Sequence, residues 1–211
     1  MTLPFLFDGP QDAPVTLLLA HGSGAPMDSP AMNAMAAALA AEGLRVARFE
    51  FAYMAARRTD GSRRPPPKAE MLNPEFRHAV AALGAGGRLV IGGKSMGGRV
   101  ASMVADALHA EGLIAGLLCL GYPFHPPEKP AQLRTEHLMT LRVPALICQG
   151  TRDSFGTRDE VPHYGLPERI RFLWLEDGDH DLKPRKSISG FSTADHIATM
   201  ARAVRAWAET L

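Results

Sequence analysis

The stretch Gly92-Gly93-Lys94-Ser95-Met96-Gly97-Gly98-Arg99 sets a serine between glycines two positions away on either side. That spacing suits a nucleophile. A hydroxyl on a sharp strand-to-helix turn is thrust out of the sheet, and small neighbours let the chain double back without a clash. His180 stands in the turn Glu176-Asp177-Gly178-Asp179-His180-Asp181, where it can take a proton from such a hydroxyl. Asp153 closes the turn Gln149-Gly150-Thr151-Arg152-Asp153 and can fix the imidazole tautomer and stabilise the imidazolium. A fourth turn, His21-Gly22-Ser23-Gly24, can aim backbone N–H groups at a developing oxyanion. We expect the two oxyanion donors at Ser23 N–H and at Met96 N–H, the residue after the nucleophile.

Gly-Lys-Ser also closes a phosphate-binding P-loop, but that motif needs a glycine five residues before the one preceding the lysine. Counting back from Gly93 gives Arg88, and Gly87 lies one position too far. The remaining histidines (His78, His109, His137, His163 and His196) lack metal-ligand spacing. Asp177, Asp179 and Asp181 read as a turn with solvated acids. The expectation is therefore no metal and no cofactor.

These residues need elements to position them. Runs 15–20, 44–51, 88–91, 115–120, 144–149 and 170–175 are nearly continuous in apolar residues, as buried parallel strands are. Between them lie helical patterns at 29–42, behind Asp28 or Ser29 as N-cap, and at 74–83, behind Asn73. Longer helical runs follow at 95–110 and 192–210. The alternation predicts an α/β fold: one single-domain three-layer α/β/α sandwich over 1–211, with a mostly parallel sheet of about six strands. Ligands of such sheets bind beyond the carboxyl ends of the strands. All four turns fall there.

Composition agrees with an enzyme-like core. The chain has 211 residues, 46% of them hydrophobic, and a net charge of +1. Near-neutrality argues against a nucleic-acid binder, and the hydrophobic fraction argues against disorder. The longest apolar runs fall far short of a membrane span, and the start carries neither a basic leader region nor a cleavage site. Two cysteines in apolar runs read as buried free thiols in a reducing compartment. The expected location is cytoplasmic.

Serine, aspartate and histidine follow one another in the order α/β-hydrolases use. The chain resembles a compact member of that superfamily over essentially its whole length. Residues 93–99, 122–127, 150–153 and 178–183 are similar to a small, lidless, dienelactone-hydrolase-like group. That group includes the hydrolase-like domain of a eukaryotic chromatin-complex subunit. Dienelactone hydrolase itself uses a cysteine, whereas Ser95 stands here, so the resemblance implies fold and triad without a substrate.

Residues 122–143 leave room for a loop and a short helix but no substantial lid. His21, Gly22, His125 and Arg134 are expected at the substrate mouth, where His125 and Arg134 would meet an anionic group. The basic loop 57–68 would project from the same edge and offer a docking strip for a protein partner. The expected function is a serine hydrolase that cleaves a small or surface-presented carboxylic ester or thioester through an acyl-enzyme. A catalytically silent interaction module is the alternative. The same geometry also supports perhydrolysis, lyase chemistry and acyl transfer.

Overall fold

The computed structural model describes residues 3–61, 65–84 and 87–211, without the Asp60 side chain. Its strands are β1 (Leu6–Asp8), β2 (Val15–Ala20), β3 (Arg45–Phe49), β4 (Arg88–Lys94), β5 (Gly116–Leu120), β6 (Ala145–Gly150) and β7 (Ile170–Leu175). The helices are α1 (Pro30–Ala41), α2 (Ala52–Asp60), α3 (Asn73–Leu83), α4 (Met96–Ala110), α5 (Lys186–Ser189) and α6 (Thr193–Ala208). The strands form one sheet in the order β1-β3-β2-β4-β5-β6-β7. All neighbours are parallel except β1, which runs antiparallel to β3.

The sheet therefore has seven strands rather than about six. The additional one, β1, is a three-residue edge strand too short to show a pattern. It is fastened by Asp8, whose carboxylate accepts from the buried Arg48 guanidinium at 2.8 Å. β3 is shorter than expected and ends at Phe49, because Phe51 already opens α2. β4 is longer and carries Gly92, Gly93 and Lys94 inside the sheet.

Every residue of β2, β5 and β6 is buried, because helices cover both faces of the sheet. Side chains alternate between two cores. Leu17, Leu19, Val90 and Leu118 pack with Met35 and Leu39 of α1 and with Met200 and Val204 of α6. Leu18, Ile91, Leu117 and Ile147 pack with Phe76 of α3 and with Val100 and Val104 of α4. Each such side chain contributes about 1.5–3 kcal/mol by leaving water.

The helix starts follow local chemistry. Ser29 caps α1, accepting from Met32 N at 3.4 Å, with Pro30 in the first turn. Ser192 and Asp195 form a reciprocal capping box on α6. Asn73, expected as a cap, is instead the first residue within α3, because a 3-10 turn at Ala69–Leu72 leads into the helix.

The basic segment 57–68 is not a plain loop. Its start belongs to α2, and residues 62–64 lie outside the described residues. Arg58 is committed to the fold: its guanidinium donates to Glu50 at 2.7 and 2.8 Å and also to Asp28. Arg57 stacks over the Tyr53 ring, 5.4 Å from its centre.

Candidate active site

Ser95 sits between β4 and α4 with φ 51° and ψ −116°, a conformation that L-residues rarely hold. Its N–H donates to Leu120 O at 3.0 Å, which ties the turn to β5. Gly93 and Gly97 allow the turn to press directly on the end of β2. A Cβ on Gly93 would stand 2.4 Å from Ala20 O, and one on Gly97 2.5 Å from the same oxygen. That approach sets the turn after β2 against the serine. A Cβ on Gly22 would lie 3.8 Å from Ser95 Cβ.

His180, beyond β7, reaches Ser95 with Nε2 at 2.8 Å from Oγ. Its Nδ1 lies 2.9 and 3.1 Å from the two carboxylate oxygens of Asp153, beyond β6. Asp153 is fully buried and also accepts from Gln149 Nε2 at 2.8 Å and Phe155 N at 2.9 Å. Three donors fix this buried carboxylate as an acceptor. Nδ1 must then carry the imidazole proton, leaving Nε2 free to accept from the serine hydroxyl.

Three contributors escaped sequence reasoning. Gln149 is buried, and its Oε1 accepts from Tyr122 N at 2.7 Å, so the amide must point its NH2 at Asp153. A glutamine ending an otherwise apolar strand is the signal that could have found it. Phe155 lays its ring 4.1 Å from the imidazole, tilted by 32°. Lys94 is buried, with Nζ 2.8 Å from His180 O and 3.4 Å from Asp181. Burial pulls its ammonium below the usual lysine range, against the attraction of Asp181.

Ser23 and Met96 both line a cleft of about 580 Å³ beside Ser95 and His180. Neither backbone N–H has a protein acceptor among the described residues. Tyr53 donates to Ser23 O at 3.1 Å and steadies that turn. Of the expected mouth residues, Gly22 and Arg134 do line the cleft. His21 does not, because it is fully buried behind the turn. Its Nδ1 donates to Gly22 O at 2.6 Å and its Nε2 accepts from Phe51 N at 3.1 Å. Burial holds its pKa down, in keeping with a neutral ring that acts as a brace. His125 also turns inward, donating from Nδ1 to Pro126 O at 2.9 Å with Nε2 3.7 Å from Glu160.

Asp177 corrects the reading of the acidic turn as solvated. It is buried, accepts from Arg185 N at 2.6 Å, and the Arg185 guanidinium holds its carboxyl down to about 2. Asp179 accepts from the backbone of Asp181 and Lys183, each at 2.9 Å. Among the described residues no cluster of His, Cys, Asp or Glu is arranged to hold a metal. A second serine–histidine contact, Ser102 Oγ to His137 Nε2 at 2.8 Å, lies in the core. The Ser102 proton is already given to Arg99 O at 2.7 Å.

A mostly parallel, two-face-covered sheet with a serine on a strained strand-to-helix turn defines an α/β hydrolase. A family model described as an alpha/beta hydrolase domain matches residues 13–209, and the chain belongs to that family. The fold is similar to that of an α/β serine hydrolase without a lid from Xanthomonas campestris, at TM-score 0.69 and 19% identity over 96% of this chain and 88% of that one. It is similar to a dienelactone hydrolase from Anabaena variabilis, at TM-score 0.69 and 18% identity over 98% and 90% of the two chains. It is also similar to the esterase domain of a Rhodothermus marinus protein, at TM-score 0.66 and 18% identity over 99% and 92%. At such identities the likeness is one of fold. Among the described residues no lid is present: the β5–β6 connection holds one 3-10 turn, Glu136–Leu138. No helix among the described residues is long and apolar enough to cross a membrane.

Proposed function

We propose that the protein is a serine hydrolase that cleaves a small carboxylic ester or thioester. The observation that carries this reading is the imidazole of His180, held between Ser95 Oγ at 2.8 Å and Asp153 at 2.9 Å. Ser95 Oγ attacks the carbonyl carbon while its proton passes to His180 Nε2. The carbonyl oxygen becomes an oxyanion and takes hydrogen bonds from Ser23 N–H and Met96 N–H. Losing one such donor typically costs about 3 kcal/mol of transition-state stabilisation. Collapse of the tetrahedral intermediate breaks the bond to the leaving alcohol or thiol, which takes the proton from Nε2. Water, deprotonated by the same nitrogen, then releases the acid and restores Ser95.

Asp153 keeps Nδ1 protonated and opposes the charge of the imidazolium. A cleft of about 580 Å³ suits a small-molecule substrate. The two free cysteines, both buried, accord with a cytoplasmic setting. A fluorophosphonate probe should form a stoichiometric adduct that mass spectrometry maps to Ser95. Ser95→Ala should abolish the adduct and the turnover of an activated ester. Wild-type turnover by pure, folded Ser95→Ala protein would overturn the reading.

A further inference from the structure

One wall of the cleft carries more positive charge than the fold uses. Arg134 lines it, and among the described residues its guanidinium makes no hydrogen bond and no ion pair. Burial and the nearby Arg99 both pull Arg134 below the usual arginine range. Arg99 stands one helical turn beyond Ser95, its N–H donating to Ser95 O at 3.0 Å, and lines the same wall. Its side chain is 19% exposed, its Nε has no partner, and its guanidinium meets the exposed carboxylate of Glu70. Lys68, also on this wall, is exposed. Arg134, Arg99 and the exposed Lys68 thus share this wall with one carboxylate, Glu70, and the two arginines drawn partly out of water beside each other are relieved when an anion enters.

The wall is also pre-built. Arg134 N donates to Phe124 O at 2.7 Å and Tyr122 Oη donates to Arg134 O at 2.9 Å. Ser102 fixes Arg99 O from below, and His137 Nε2 bridges Ser102 Oγ at 2.8 Å and Tyr122 Oη at 3.3 Å. The two arginines therefore rise from backbones pinned by one buried network. Such pre-organisation lowers the entropy cost of holding a ligand. Other parts of the cleft are apolar, with Met32, Met35, Pro66 and Phe155 among its lining.

We propose that Arg134 and Arg99 form a subsite for a free carboxylate on the substrate, so that the bond cleaved at Ser95 is one ester of a dicarboxylic acid with an apolar spacer. Guanidinium forks match a carboxylate in shape as well as charge. This inference rests on the hydrolase reading, and its test separates the two.

Fluorophosphonate labelling of Ser95 is measured first on the full chain. Then kcat/KM is compared for 4-nitrophenyl hemi-esters of succinate, glutarate and adipate and for their neutral methyl esters. At least one hemi-ester should exceed its methyl ester by about 10-fold or more, the difference lying mainly in KM. High salt should erase that preference, as should Arg134→Gln. If Ser95 labels and neutral esters turn over as fast as the hemi-esters, the carboxylate subsite is wrong and the hydrolase stands. If Ser95 neither labels nor turns over any ester, the hydrolase reading fails. Calorimetric titration with glutarate then decides: binding lost at high salt upholds the subsite, and no binding at millimolar glutarate overturns it. Should Arg134→Gln fail to fold, the salt dependence of the wild type decides alone.

Discussion

The Lys94 ammonium donates to the backbone carbonyl of His180 at 2.8 Å, so the residue before Ser95 holds the loop that carries His180. The serine turn and the histidine loop are thereby one mechanical unit, although 86 residues separate Lys94 from His180. Lys94→Met keeps the aliphatic stem but leaves His180 O without its donor, at a cost of about 1–3 kcal/mol. We expect turnover of an activated ester to fall about 10-fold, mainly in kcat, because a small misplacement of the base is expensive. Steady-state kinetics alongside thermal melts check this. Unchanged kcat in a folded variant refutes the coupling.

Asp153→Asn tests the tautomer argument. Gln149 Nε2 and Phe155 N already donate to this carboxylate. An amide there must turn its own NH2 toward a donor, or toward Nδ1 of His180. The first choice leaves a neutral amide oxygen on Nδ1 without the charge that opposes the imidazolium, and the second imposes the other tautomer, so kcat should drop by about 10³–10⁴-fold, in line with the loss seen when a triad aspartate is amidated elsewhere. A drop of less than about 10-fold in a folded variant assigns the orienting role to another group.

Function at Ser95 costs stability. A residue with φ 51° and ψ −116° stores about 1–3 kcal/mol. Ser95→Gly should therefore raise the unfolding midpoint in denaturant while abolishing the probe adduct. Ser95→Ala should abolish the adduct without that gain, since alanine keeps the Cβ. Equal midpoints for the glycine and alanine variants contradict stored strain.

His137 gives acid sensitivity a direction. Burial, reinforced by Arg99, lowers its pKa from 6.5 to about 4 in the folded chain. On acidification the unfolded chain takes up the proton first. The stability owed to the neutral ring is complete above about pH 6.5 and is lost as pH falls toward 4. His21, also lowered by burial, acts in the same sense. His137→Gln, which can still donate toward Ser102, should flatten the fall in denaturation midpoint between pH 6.5 and 4. Identical slopes for variant and wild type remove His137 as a source.

The core strands and the serine, aspartate and histidine turns were readable because each rests on a strong local cue: a continuous apolar run, or glycine beside a functional group at a strand end. What was not readable follows from packing. β1 is held by Arg48 and Asp8, 40 residues apart in the chain. α2 opens on Phe51 without a side-chain cap, and its arginines look like loop charges until Glu50, Asp28 and Tyr53 are brought to them. His21 and His125 stand beside glycine and proline as mouth residues would. Their direction is set by the Phe51 N–H and by Pro126 O and Glu160, which no local pattern announces.

The strand order puts β4 at the middle of the sheet, with three strands on either side, and β7 at one rim. Ser95 thus hangs from the most enclosed strand, while His180 hangs from a strand paired on one side only. Rim strands fray at lower free energy than central ones. An opening of β7 that breaks the Lys94–His180 O bond takes the imidazole away from a serine that has not moved. Warming should therefore silence the enzyme in advance of its melting, and cooling should restore it without refolding.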